Sequence, residues 1–315
     1  MTGELRVAGA PISWGVCEVP GWGYQLPPER VLTEMAGLGL TAAEFGPEGF
    51  LPADPAGRAA TLRRHGLGAV GGFLPVVLHE PGAGPVIDQA LDDFAAAGAE
   101  VLVLAAATGR DGYDTRPELD DAAWKTLLAS LDLAAAHAAD RGLVATLHPH
   151  VGTLVERPDE VRRVLDGSVI PLCLDSGHLL IGGTDPAQLA REAAGRVAHA
   201  HLKDVDAAWA DRVRGGQVSY TEAVAAGLYR PLGQGDVDVA GLVGALRGAG
   251  YQGWFVLEQD TVLTAEPAGP GPAGDVRASL AYLRSLSLPS RGDDPPNPPA
   301  RTARDKPDRG RPARA

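Results

Sequence analysis

The sequence predicts an α/β fold, a single (β/α)8 barrel that spans residues 1–288 of the 315-residue chain. Eight short apolar runs alternate with eight Ala- and Leu-rich amphipathic stretches, and Gly repeatedly separates an amphipathic stretch from the next run. The runner-up is an open doubly wound sheet. It is disfavoured because the first run is not followed by the G-x-G-x-x-G turn that binds dinucleotides in such sheets.

The apolar runs have the length and the polar ends of parallel barrel strands. These predicted strands cover residues 6–14, 42–46, 68–78, 101–107, 144–150, 171–175, 198–204 and 254–260. Several amphipathic stretches follow Pro or Asp, which are favoured at helix starts. The predicted helices cover residues 28–37, 55–65, 86–97, 119–140, 158–166, 186–194, 238–248 and 272–286.

The composition limits the classes of partner. Hydrophobic residues make up 45% and charged residues 22% of the chain, as in globular proteins. The net charge of −12 argues against nucleic acid as a partner, because phosphate binding depends on clustered Lys and Arg. Two cysteines and the lack of an apolar run of about 18 residues predict a cytoplasmic protein without a membrane partner. Residues 289–315 are rich in Pro and Arg and predict a disordered tail.

One connection is too long to be a plain loop. Residues 206–236 separate the seventh predicted strand from the next helix, and connections of that length in compact domains are usually functional or disordered. Because it follows the carboxyl end of a strand, it lies on the face where barrels carry their active sites. We expect it to act as a lid.

Ionisable residues gather at the ends of the last four predicted strands. Five of the eight histidines, an acid, a lysine and a further acid lie there: His148, His150, Asp175, His178, His199, His201, Lys203 and Glu258. In a barrel these ends meet at one mouth, and side chains at i and i+2 point the same way. The pattern predicts one divalent cation. Mixed oxygen and nitrogen ligands suit Mn²⁺, Co²⁺, Fe²⁺, Zn²⁺ or Mg²⁺ and do not distinguish them well; we favour Mn²⁺ or Co²⁺.

Each residue also has an ordinary structural interpretation. Asp175 could cap the turn that follows it, and His201 could be a hydrogen-bonded core residue. Lys203 could pair with Asp204 or Glu258, although a lysine in a chain that otherwise uses Arg hints at proton transfer. An ionised Glu258 at the end of an apolar strand needs a partner. Convergence of four adjacent strand ends favours a site over these separate interpretations.

Six segments resemble the inosose dehydratase family within the xylose isomerase-like superfamily of barrels. They are APISWG, TAAEFGPEG, LHPHVGT, CLDSGHLLIGGTDP, HAHLKDV and GYQGWFVLEQD, and the similarity spans residues 7–285. The resemblance implies metal ligands at Asp175, His201 and Glu258. Many members have Glu at the fifth strand, where this chain has His148, as the His-rich inosose dehydratase branch does. His148, His150 and Glu156 remain candidates for that ligand, with His148 preferred.

The resemblance further implies a small keto-polyol or keto-sugar substrate. Glu44 matches a substrate-facing acid of the superfamily, with a salt bridge across the mouth as the alternative. Trp14 ends the first predicted strand, where its indole could stack on a polyol ring. His150 and Glu156 are the other predicted substrate contacts. Paired barrels are common in the superfamily, which implies a homodimer or homotetramer.

The implied reaction is dehydration of 2-keto-myo-inositol. Glu258 or Lys203 would remove the proton next to the ketone, and His178, His150 or Glu44 would protonate the departing hydroxyl. The same residues would give a keto-sugar isomerase or epimerase if no hydroxyl left. The barrel would also suit a polyol sensor without turnover or a DNA-repair nuclease of the endonuclease IV type. The acidic chain disfavours the nuclease.

Overall fold

The computed structural model describes residues 5–110 and 112–287, and there parallel strands form a ring surrounded by helices. The strand segments are Val7–Gly9, Ala42–Ala43, Gly68–Ala69, Gly71–Val76, Val101–Ala106, Val144–Leu147, Leu172–Asp175, Val197–Leu202 and Phe255–Leu257. They confirm the predicted barrel, and we number its strands first to eighth in chain order. The predicted tail, 289–315, lies outside the described residues.

The third strand closes the ring although it is interrupted at Val70. The Val70 amide donates to the Ala43 carbonyl at 3.0 Å on one side. On the other side, the Val70 carbonyl accepts from the amides of Glu100 at 2.9 Å and Val101 at 3.0 Å. Gly68–Ala69 therefore pairs with the second strand and Gly71–Val76 with the fourth. A Cβ at Gly71 would lie 1.9 Å from the Val101 carbonyl oxygen, so this approach requires glycine.

The eight predicted helices are present within a few residues of their expected bounds. They are Pro28–Gly37, Pro55–Arg64, Ala83–Ala96, Asp121–Asp140, Pro158–Gly167, Pro186–Ala193, Val239–Gly248 and Pro272–Ser287. Aspartates cap several of them; for example, the Asp185 side chain accepts from the amides of Ala187 and Gln188. Among the described residues no helix is long and apolar enough to cross a membrane.

The first strand is shorter than predicted. It ends at Gly9, and Pro11–Trp14 forms a 3₁₀ helix. Pro11 has no backbone N–H with which to continue a strand ladder, which explains the early end. The turn of the backbone from strand into 3₁₀ helix sets the direction of the Trp14 side chain.

Alternation along the strands separates two layers of side chains. Val101, Val103 and Cys173 form a small cluster apart from the main core, whereas Leu102 and Leu104 belong to that core. The first set faces the barrel interior and the second packs against the helices. Asp175 lies two residues after Cys173, so it faces the interior at the carboxyl end of the sixth strand.

The predicted lid is an ordered connection. Asp204–Val205 pairs antiparallel with Tyr229–Arg230, and two short helices, Ala207–Arg214 and Tyr220–Ala225, lie between them. The Asp204 carboxylate accepts four backbone amides of the connection, from Val205, Gly233, Gly235 and Val237, at 2.8 to 3.0 Å. Asp204 thus holds the connection in place and is not the partner of Lys203.

Candidate active site

A cavity of about 390 Å³ lies at the carboxyl ends of the strands. That volume falls in the range of small-molecule sites, roughly 300–1,000 Å³. One wall is apolar and includes Ile12, Val16, Trp22 and Phe73. Much of the remaining lining is ionisable and includes Glu44, His148, His150, His201, Lys203, Glu258 and Asp260.

The two carboxylate oxygens of Asp175 have separate roles. Oδ1 accepts the amides of Gly177 and His178, each at 2.8 Å, and so caps the helix Ser176–Gly182. Oδ2 is buried and has no hydrogen-bond partner in the part of the chain that the structure describes. Burial raises the pKa of this carboxyl, but Lys203 and His201 outweigh it and hold the pKa below its usual value. Asp175 is therefore a cap that also presents a free anionic oxygen to the barrel interior.

Donor atoms from four strand ends lie next to one another: His148, Asp175 and His201 form one group, and Glu258 adjoins it through His201. His201 Nδ1 lies 3.2 Å from Glu258 Oε2 and 3.6 Å from Asp175 Oδ2, and His148 Nε2 lies 3.7 Å from Asp175 Oδ2. Ligands about 2.1 Å from a tetrahedral metal ion lie about 3.4 Å apart. The spacing and the mixed nitrogen and oxygen donors fit a divalent cation.

The charge balance supports the same interpretation. Burial alone would lower the pKa of His201, but Cys173, Glu258 and Glu44 raise it well above its usual value. These neighbours favour a positive charge at the His201 ring. A proton on His201 supplies that charge, and a bound cation would supply it equally.

Lys203 is enclosed by carboxylates. Its Nζ lies 2.7 Å from Asp260 Oδ1, 3.0 Å from Glu258 Oε2 and 3.6 Å from Asp175 Oδ2. Burial lowers the pKa of this amine, but the three carboxylates raise it well above its usual value. Lys203 is thus held as an ammonium ion within reach of three carboxylates. Of the two predicted bases, Glu258 and Lys203, this environment favours Glu258, because the carboxylates favour the ammonium form of Lys203.

The rings of His150 and His178 are tilted against each other with centroids 3.6 Å apart, and of these two residues only His150 lines the cavity. His150 Nδ1 lies 2.7 Å from the Val151 carbonyl, so Nδ1 carries the hydrogen and Nε2 keeps a free lone pair. His178 is buried behind it with Nε2 3.1 Å from Lys203 Nζ. The predicted role of His178 as an acid in contact with substrate is not supported, because its ring does not reach the cavity.

Two predicted substrate contacts lie elsewhere. Trp14 is fully buried and its indole N–H donates to Glu34 at 2.8 Å, so it presents no ring to the cavity. Glu156 accepts the Gly152 amide at 2.8 Å and lies 3.5 Å from Arg116, on a separate open groove of about 1,550 Å³. Its position removes Glu156 from the candidates for the fifth-strand ligand. His148 is the candidate that lies with Asp175 and His201.

Sequence reasoning predicted the lid but missed the site contacts of two of its tyrosines. Tyr220 donates to Asp260 Oδ2 at 2.7 Å, and its hydroxyl lies 2.9 Å from that of Tyr229. Asp260 therefore joins the lid to Lys203. The length of the connection signals a lid, and the two tyrosines are visible in its sequence, but nothing in the sequence pairs them with Asp260.

A buried group of ionisable side chains at the carboxyl ends of (β/α)8 strands defines a barrel enzyme. The chain belongs to the xylose isomerase-like TIM barrel family, whose model matches residues 32–286. This membership confirms the resemblance found in the sequence.

The chain is similar to an inosose dehydratase of Geobacillus kaustophilus (strain HTA426). The two are 30% identical over 300 residues, which cover 90% of this chain and 94% of that protein. Among solved structures, L-ribulose 3-epimerase matches with a TM-score of 0.66 at 16% identity, over 90% of this chain and 95% of that one. The IOLI protein with a bound zinc atom matches with a TM-score of 0.65 at 13% identity, over 90% and 98%. These two likenesses show the fold alone.

Proposed function

We propose that this enzyme is a metal-dependent lyase that removes water from 2-keto-myo-inositol or a closely related keto-polyol. The observation that carries the proposal is the pair formed by the Glu258 carboxylate and the Lys203 ammonium, 3.0 Å apart on the cavity wall. A base beside an acid is what an elimination of water requires. The similarity to inosose dehydratase supports the substrate class.

Asp175, His201 and Glu258, with His148 from the fifth strand, would hold the metal. Once bound, it would polarise the ketone and stabilise negative charge on its oxygen. The donor set is mixed nitrogen and oxygen and does not select among divalent ions.

The side chains supply the proton transfers. Glu258 is kept ionised because His201 and Lys203 lower its pKa, although burial opposes them. It takes the proton from the carbon beside the ketone. Lys203 gives a proton to the hydroxyl on the next carbon, the carbon–oxygen bond breaks and water leaves. The 3.0 Å contact then lets the proton on Glu258 return to Lys203, which restores both groups.

The other cavity residues bind and orient the substrate. The free Nε2 of His150 accepts a hydrogen bond from a substrate hydroxyl, because Nδ1 is already committed to Val151. The apolar wall, with Trp22 and Phe73, excludes water from the reacting carbons.

Incubation with 2-keto-myo-inositol tests the proposal. With Mn²⁺ or Co²⁺ present we expect the absorbance of an unsaturated or diketone product, and we expect EDTA to abolish it. Excess metal after EDTA should restore activity. Interconversion of ordinary ketoses without loss of water would instead identify an isomerase or epimerase and contradict the dehydratase.

The lid contact gives a second expected result. Replacing Tyr220 with Phe removes the donor to Asp260 Oδ2 and leaves a buried oxygen unsatisfied. We expect a loss of about 1–3 kcal/mol in the free energy of unfolding. Because Asp260 holds Lys203, kcat should also fall by about tenfold, which corresponds to about 1.4 kcal/mol of lost transition-state stabilisation.

Tyr251→Phe is the matched control. Its hydroxyl donates to the Trp254 carbonyl at 2.7 Å, just before the eighth strand begins and away from the cavity. Urea unfolding of both variants should show lost stability, and only Tyr220→Phe should show a lower kcat. Equal effects on kcat, or none for Tyr220→Phe, would show that the lid does not position Lys203.

A further inference from the structure

We propose that Glu44 is a positioning residue that fixes the tautomer of His201 and thereby prepares it to bind the metal. The inference rests on the proposed metal site and assigns Glu44 a role other than substrate contact.

Glu44 holds two imidazole rings with one oxygen. Its Oε1 lies 2.8 Å from His199 Nε2 and 3.0 Å from His201 Nε2. Two ring nitrogens that converge on one oxygen identify that oxygen as an acceptor shared by two N–H donors, as in an ionised carboxylate. A carboxylate only accepts hydrogen bonds, so both Nε2 atoms carry hydrogen.

That arrangement determines what His201 offers on its other side. When a bound cation replaces the second proton of His201, hydrogen on Nε2 leaves the lone pair of the neutral ring on Nδ1, 3.2 Å from Glu258 Oε2 and 3.6 Å from Asp175 Oδ2. A lone pair beside two anionic oxygens is repelled unless a cation lies between them. The opposite tautomer would donate from Nδ1 to Glu258 and occupy the ligand position. Glu44 opposes it, because Nε2 would then turn a lone pair toward the Glu44 oxygen.

The burial of Glu44 agrees with this role. The residue is 4% exposed, and its backbone amide donates to the Gly9 carbonyl at 3.0 Å, which anchors it beside the first strand. Carboxylates that hold a metal-binding histidine in this way tune both the ring orientation and the basicity of the ligand nitrogen. Glu48, also a cavity residue, is exposed and makes no such contact among the described residues.

Titration of the metal-free protein with Co²⁺ tests the inference. We expect Glu44→Gln to bind Co²⁺ about 10–100-fold more weakly than the unaltered protein, since outer carboxylates contribute that much to affinity. The visible spectrum of bound Co²⁺ should change as the donor set is disturbed. Glu44→Asp keeps the charge but shortens the side chain, and it should show an intermediate loss. Glu48→Gln should bind Co²⁺ normally.

The outcomes separate the inference from the proposed function. Failure of the unaltered protein to bind Co²⁺ would remove the metal site itself. Normal Co²⁺ affinity in Glu44→Gln and Glu44→Asp would overturn the positioning role. A raised KM together with normal Co²⁺ affinity in these variants would also overturn the positioning role, because Glu44 would then contact the substrate. Circular dichroism of the metal-free variants reports folding; if Glu44→Gln does not fold, Glu44→Asp decides alone.

Discussion

Replacing Glu258 with Gln is expected to reduce activity by about 10²–10⁴-fold, the range lost with a general base. The carboxylate lies 3.2 Å from His201 Nδ1 and 3.0 Å from Lys203 Nζ, so its loss also weakens the proposed metal site. Steady-state rates with 2-keto-myo-inositol at saturating metal, together with a Co²⁺ titration, measure the two effects separately.

Glu18→Gln is the control for charge at the cavity. Glu18 borders the same cavity and is exposed. We expect it to retain activity, which would show that position and not net charge matters. If Glu258→Gln kept more than a tenth of the activity, Glu258 would not be the base.

Replacing Lys203 with Met is expected to affect both activity and stability. Lys203 is 2% exposed, and its removal leaves the carboxylates of Asp175, Glu258 and Asp260 buried without their cation. Breaking a buried ion pair on one side costs about 3–5 kcal/mol. Loss of the acid should lower kcat by about 10²–10⁴-fold as well. Urea unfolding and steady-state kinetics provide the two measurements.

Lys125→Met separates these effects from the general loss of a lysine. Lys125 is exposed on the helix Asp121–Asp140, where substitution should change the free energy of unfolding by less than about 0.5 kcal/mol. Lys203→Arg should not restore activity, because a planar guanidinium cannot meet three carboxylates as a compact ammonium does. Activity in Lys203→Met close to that of the unaltered protein would exclude Lys203 as the acid.

The sequence by itself determined the barrel. Apolar strands of a few residues, Pro or Asp before the helices and Gly after them are local signals, and each acts within one turn or one strand. Alternation along a strand also predicted that Asp175, His201 and Lys203 face one interior, because side chains two residues apart share a face. The length of the connection at 206–236 can be read from one stretch of sequence as well, and it indicated a lid.

The tertiary structure decided which of those side chains meet. The 3₁₀ helix at Pro11–Trp14 turned Trp14 into the core. The path after the fifth strand placed His148 beside Asp175 and took Glu156 to another groove. Glu44 contacts two histidines, and Tyr220 of the lid donates a hydrogen bond to Asp260. These contacts join residues far apart in the chain, and their distances depend on strand stagger and lid packing, which no local pattern encodes.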